Sequence, residues 1–193
     1  MAKISSARED MLSAATELFR ARGYEGVGVA ELLEKAGAPR GSLYFHFPGG
    51  KEQIGAEVVE RVGRNVAVRF RQLHESGVDL DSFIERIFKT TAKESRDRSY
   101  KATCPMAVIA AEIDADNPKL AAAVRNVFVS WETEIAEAAR ARGMNAKDAG
   151  VFASALISAM EGAFIVSKAQ GSSTAHVNAS RAIRALAAAI MAS

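Results

Sequence analysis

Apolar residues return every third or fourth position along most of this chain, which is the spacing of amphipathic helices. The first run, Met11, Ala15, Leu18 and Phe19, predicts a helix that starts near Ala7, where Ser6 and Glu9 form a capping box, and ends at Arg22 and Gly23. Val29, Leu32, Leu33 and Ala36 predict a second helix of two turns, with Gly28 as a permissive N-cap and Gly37 as its stop. A third begins at Pro39, which lacks only an N–H that would be unpaired there anyway, and runs from Arg40 to Phe47, a little over two turns. Leu43 and Phe47, four apart, fall on one side of it. Pro48, Gly49 and Gly50 stop this short helix, and Lys51 opens the next.

The rest of the chain continues the pattern. Lys51 to His74 carries Ile54, Val58, Val62, Val66, Phe70 and Leu73 on one stripe, weakened at Gly55 and Gly63 by about 1 kcal/mol each relative to alanine. Asp79 or Asp81 caps a helix with Phe83, Ile84, Ile87, Phe88 and Thr91 inward, which fades into a charged loop over Glu94 to Lys101. Cys104 to Ile113 is nearly all apolar and reads as an interior helix wrapped on most sides. Asn117 and Pro118 restart the chain as N-cap and first turn of a helix to Gly143, with Leu120, Val124, Val127, Phe128, Trp131, Ile135 and Ala138 inward. Asn145 and Asp148 begin another, whose inner side includes Phe152, Leu156, Met160 and Phe164 and which Gly171 closes. Thr174 caps the last, to about Met191. The expected fold is all-α with about nine helices: a three-helix head, then a helical body, with domains at 5–65 and 66–193.

Composition agrees with that class. Apolar residues make up 49%, aromatic residues 7%, and only four prolines occur, which favours helices over strands. Twenty-five basic and 23 acidic residues leave +2, so any affinity for nucleic acid must come from local placement. A single cysteine, Cys104, excludes an intrachain disulfide framework and fits a cytoplasmic protein. The first ten residues lack an apolar signal core, and no run is expected to cross a membrane.

Chemistry concentrates in PRGSLYFHFPGGK, Pro39 to Lys51. Arg40, Ser42, Tyr44 and His46 offer a guanidinium, a hydroxyl, a phenol and an imidazole, all groups that bind phosphate oxygens or base edges. Lys51 adds a full charge at a helix N-terminus, a phosphate-binding position. Two short helices separated by Gly37 and Ala38 form the helix-turn-helix layout, although layout alone also fits an ordinary helical hairpin.

With AATELF (Ala14 to Phe19), Gly23 and Tyr24, Ala36 and Gly37, GSLYFHF, Lys51 and Glu52, the stretch from Ile4 to Ile54 resembles the tetracycline-repressor (TetR) family of bacterial regulators. PGGKEQ places it nearest the branch of lincomycin-resistance-type repressors. The resemblance implies a homodimer on a palindromic double-stranded DNA operator, released by a small-molecule effector. It carries DNA contact onto Gly28, Pro39, Arg40, Gly41, Ser42, Tyr44, His46 and Lys51. Many members have Thr-Ser where this chain has Val27 and Gly28, so only backbone amides would meet a phosphate at that helix start. PGG is also one residue longer than the common spacer before the lysine.

Ligand-pocket candidates are Phe88, Met106, Ile109, Phe128, Trp131, Met160 and Phe164, each of which also reads singly as ordinary core filling. Small residues on the last two helices, Ser154, Ser158, Gly162, Ala182 and Ala189, with Leu186, allow close approach of a second copy. Glu112, Asp114, Asp116 and Asn117 resemble a cation loop superficially but lack its central glycine and distal glutamate, so a solvated helix end is expected. Cys104 reads as an apolar plug with redox sensing as the alternative, and His74 and His176 as solvated. No nucleophile with a base, metal-ligand cluster or phosphate-cradling glycine loop points to an enzyme or a cofactor. A helical scaffold that keeps the head without using it is the alternative function.

Overall fold

The computed structural model describes residues 2–113 and 116–192, with side chains from residue 7. Nine helices occur among the described residues: α1 Ala2–Arg22, α2 Val29–Lys35, α3 Leu43–His46, α4 Gly50–Glu75, α5 Leu80–Asp97, α6 Pro105–Glu112, α7 Pro118–Arg140, α8 Ala146–Gln170 and α9 Thr174–Met191. Contacts divide the chain into two compact units, Met1–Gly63 with Cys104–Val127, and Arg64–Thr103 with Phe128–Ser193.

The first unit is built on α1, whose Met11, Leu12, Ala15 and Phe19 are buried. The helix begins at Ala2, earlier than the expected start near Ala7, because nothing before Ser6 interrupts a helix. The Ser6 side chain, and with it the expected capping box, lies outside the described residues. Leu32 and Leu33 of α2, Leu43 of α3, and Ile54, Val58, Val59 and Val62 of α4 complete this core with Tyr24 and Val27. Two glycines expected to weaken α4 serve packing. A Cβ on Gly55 would stand 2.9 Å from the Tyr24 ring, and one on Gly63 would stand 2.4 Å from Val127, so α7 and the Tyr24 ring approach α4 where it has no side chain. In α6, Pro105, Met106 and Ile109 are buried, but Ala107, Val108 and Ala110 are only half-buried and Ala111 is exposed. Its alanines are too small to need cover all round, which corrects the expectation of a helix wrapped on most sides.

In the second unit, α5 packs on both α8 and α9, which pack on each other. Asp79 is the cap of α5, its carboxylate accepting the Ser82 N–H at 2.6 Å. The helix does not fade at Glu94 but continues to Asp97, because Ser95 turns inward and Glu94 pairs with Arg69 at 2.6 Å. Ser99 and Tyr100 then take positive φ, 51° and 58°, to reverse the chain. Trp131 is fully buried, edge-on to Phe70 at 6.1 Å and to Phe128 at 5.7 Å. Asn145 caps α8 through the Asp148 N–H at 3.0 Å, and Gly171 ends it at φ +61°. Ser173, not Thr174, occupies the cap position of α9. By length and composition α8 is apolar enough to cross a membrane, contrary to expectation, but half of its most apolar stretch is buried inside the protein.

Candidate nucleic-acid interface

The recognition segment is a single helical turn, not two. Pro39 to Ser42 form a tight turn, closed by the Ser42 N–H on the Pro39 carbonyl at 3.0 Å, and only Leu43 to His46 are α-helical. The reason is local: the Ser42 hydroxyl also donates to the Pro39 carbonyl, at 2.7 Å, which fastens the turn in place of a helical start. The expected division of faces holds, with Leu43 and Phe47 fully buried. Arg8 lies over the Phe47 ring at 4.7 Å and pairs with Glu57 of α4, so the hidden side is covered by α1, itself tied to α4.

What faces outward is more apolar than expected. Tyr44 is 66% exposed and its neighbour Phe45 is 71% exposed, edge-on to His46 at 5.0 Å. Phe45 was missed by the sequence reasoning because helical spacing from Leu43 and Phe47 leaves its direction open until the turn is known to be only four residues long. Pro39, Arg40 and Gly41 are exposed, and Ser42 and His46 half-exposed, so the residues named from the sequence share one surface stretch. Gly28 is the exposed N-cap of α2, with no side-chain bond and open space where a Cβ would project.

Lys51 stands in the first turn of α4, its ammonium 4.2 Å from the centre of the Tyr24 ring. Gly50 precedes it at φ +63°, a left-handed conformation that lets the chain turn into α4 directly from the end of α3. Two carboxylates then tie this surface to α6 and α7. Glu112 accepts the N–H groups of Tyr24 at 2.5 Å and Glu25 at 3.0 Å, just past the end of α1. Glu52 accepts the N–H groups of Lys119 at 2.8 Å and Leu120 at 3.4 Å, at the start of α7. The Tyr24 hydroxyl adds a bond to Asn117 at 3.1 Å. Glu112 is therefore a structural acceptor and not half of a cation loop; Asp114 lies outside the described residues. Among those residues no group of three acids, histidines or cysteines is placed to hold a metal.

The remaining candidates scatter. Met106 and Ile109 are fully buried in the first unit, whereas Phe88, Trp131, Met160 and Phe164 are buried and Phe128 half-buried in the second. A groove of about 520 Å³ between α5 and α9 is lined by Phe88 alone of these seven. Ser154, Ser158, Ala182 and Ala189 are exposed, and Gly162 and Leu186 partly so. Cys104 is buried. Of the other two histidines singled out, His74 is only partly solvated and His176 is not solvated at all. His74 is half-buried with Nδ1 accepting from Arg142 at 2.9 Å. His176 is fully buried between Thr91 at 3.0 Å and Ser95 at 2.9 Å, with its ring edge-on to Phe164 at 5.0 Å.

Two family descriptions match this chain: bacterial regulatory proteins of the tetR family over residues 11–58, and the C-terminal domain of LmrA/YxaF-like transcriptional regulators over residues 82–182. The chain belongs to the TetR family. The HTH-type transcriptional regulator LmrA of Bacillus subtilis is 32% identical over 86% of this TetR-family chain and 89% of its own length. The HTH-type transcriptional repressor NemR of Escherichia coli is 37% identical over a shorter region, 36% of this chain and 35% of its own. A TetR-type regulator from Rhodobacter sphaeroides shares the fold at a TM-score of 0.83 over 93% of this chain and 98% of that one, at 22% identity. This TetR-family protein is accordingly a DNA-binding transcriptional regulator that matches the LmrA and YxaF branch.

Proposed function

We propose that the protein is a ligand-released, cytoplasmic repressor that binds a palindromic operator as a homodimer. The observation that carries the reading is the one-turn α3, anchored by fully buried Leu43 and Phe47 while Tyr44 and Phe45 stand in solvent beside Arg40. So much exposed aromatic surface on so small a helix is costly in water and useful in a groove. Arg40 reads a guanine; Ser42, Tyr44, His46 and Lys51 fix register on phosphates, with backbone amides near Gly28, Pro39 and Gly41 assisting. The TetR relative named a repressor supports repression over activation.

Dimerisation is assigned to α8 and α9. Val151, Ser154, Ser158 and Ile165 recur at helical spacing on α8, all exposed, and Gly162 lies between them. Apolar and small side chains on one solvent face suit helix pairing across a two-fold axis. Release is assigned to an effector that prefers a head spacing mismatched to the operator. Inverting a 99:1 population requires a preference of about 5.5 kcal/mol for the second state. A gel-shift titration on DNA from the protein's own genomic neighbourhood, with sedimentation of the free protein, tests the whole. The expected result is a dimer at micromolar concentration that retains one palindromic fragment. A Ser158→Arg variant is expected to sediment as a monomer and lose the fragment. A wild-type monomer, or retention that survives Arg40→Ala together with Tyr44→Ala, would reject it.

A further inference from the structure

The groove between α5 and α9 belongs to none of the functions above. On α5 its wall is Glu85, Phe88, Lys89, Ala92, Lys93 and Arg96, spaced three or four apart, and on α9 it includes Val177, Arg181 and Arg184. Five cations thus face one concavity with Glu85 as the lining acid. Three are engaged at their outer ends: Lys89 with Glu85 at 3.1 Å, Lys93 with Asp97 at 2.5 Å and Arg184 with Asp81 at 2.5 Å. Arg96 donates to the Ser173 hydroxyl at 3.4 Å. These carboxylates pair with three of the five cations, and Asp79 and Glu94 lie near Arg184 and His176 as well, so the positive end of the groove is at Arg96 and Arg181.

An ordinary solvated helix face also carries paired charges, but it does not carry them around an apolar hollow. Beneath the cations the floor is Phe88, Ala92 and Val177, of which Val177 is 56% exposed. His176, between them, presents no charge of its own while its ring is held by two hydroxyls. A volume of about 520 Å³ lies in the range of small-molecule sites. An apolar floor under a cationic rim is complementary to a molecule with a flat or aliphatic body and a negative group at its edge. A second copy of this chain would bring cations to cations if it docked the same face.

We infer that the α5–α9 groove is a binding site for a small amphipathic organic anion, a carboxylate, sulfonate or phosphate ester on an apolar body, with Lys93, Arg96 and Arg181 holding the anionic group. The inference rests on the groove alone and makes no assumption about DNA release.

The test uses the full-length protein and two dyes of one skeleton, 1-anilinonaphthalene-8-sulfonate and its uncharged counterpart N-phenyl-1-naphthylamine, followed by fluorescence. The sulfonate should bind with blue-shifted emission, more tightly than the uncharged dye and less tightly as salt rises. Exchanging two exposed cations, Lys93→Glu with Arg181→Glu, should weaken the sulfonate by about tenfold, the scale expected for losing solvent-exposed ion pairs. Filling the floor with Val177→Trp, at a position already in solvent, should weaken both dyes. Circular dichroism confirms that each variant is folded. Equal affinity for the two dyes, no binding of the sulfonate, or sulfonate binding unchanged in both variants would overturn the assignment.

Discussion

The carboxylate of Glu112 accepts the backbone N–H of Tyr24 at 2.5 Å, joining the end of α6 to the end of α1 across 88 residues of sequence. The same oxygen takes the Glu25 N–H, and both amides belong to a turn that follows Gly23 at φ +81°. Two donors that no helix satisfies are thus closed by one charged acceptor, and the position of the helix-turn-helix in the first unit depends on it.

Replacing Glu112 by Ala should therefore cost about 1.5–3 kcal/mol, the range for hydrogen bonds to a charged group. Glu112→Gln, which keeps an acceptor without the charge, should lose less than Glu112→Ala. Urea denaturation midpoints give the comparison, and equal stability of all three proteins would show that water replaces the carboxylate.

The glycines of the head should respond in opposite directions. Gly63→Ala sets a methyl where Val127 already stands, 2.4 Å away, so overpacking of about 1–3 kcal/mol should exceed alanine's helical advantage of about 1 kcal/mol. Gly28→Ser has open space and an extended N-cap backbone at φ −83° and ψ 151°. It should gain a few tenths of a kcal/mol and, by offering a hydroxyl beside the amides of α2, tighten operator binding. Thermal unfolding and anisotropy titrations read the two effects.

Charge removal on the recognition surface separates reading from steering. Arg40→Ala should cost about 1–3 kcal/mol at one base pair and relax preference there. Lys51→Ala should weaken all sequences alike and reduce the salt slope by about one unit. Binding-site selection from a random pool, repeated at two salt concentrations, distinguishes them.

Burial and the nearby positive charge of Arg96 hold the His176 imidazole down at about 4, against an ordinary 6.5. The Thr91 hydroxyl donates to the Phe88 carbonyl at 3.1 Å and so accepts from Nδ1–H, which leaves Nε2 to accept from Ser95. The unfolded chain binds the extra proton between these two values. Stability is thus fully present above pH 6.5 and lost as pH falls toward 4, by roughly 3 kcal/mol in all and about 2 by pH 5. Urea midpoints at pH 7 and pH 5 should differ by that amount more in the wild type than in His176→Leu, whose other histidines are the same.

Local signals were legible in the sequence where a residue's role depends on its neighbours along the chain. Leu43 and Phe47 as the hidden side of the recognition segment, Asn145 as a cap, and Gly37 and Gly171 as stops all follow from spacing, which left the cap of α5 between Asp79 and Asp81. Roles set across the chain were not. His176 read as solvated because its hydroxyl partners lie 85 and 81 residues away, and polar satisfaction leaves no periodic trace. Glu112 read as part of a solvated helix end for the same reason, and Glu52 entered only through the family motif. Gly55 and Gly63 read as weak points, since only the arrival of Tyr24 and Val127 turns a missing side chain into a contact.

Lys51 and Glu52 are consecutive residues in the first turn of α4, one offered to a phosphate in the proposed complex and the other gripping the opening amides of α7 at 2.8 Å and 3.4 Å. A single peptide link therefore stands between the nucleic acid and a helix that ends far from it in sequence. Any displacement of the first turn of α7 must either break the Glu52 grip or tow the lysine with it, and the operator would register that tug at its backbone before any base was lost.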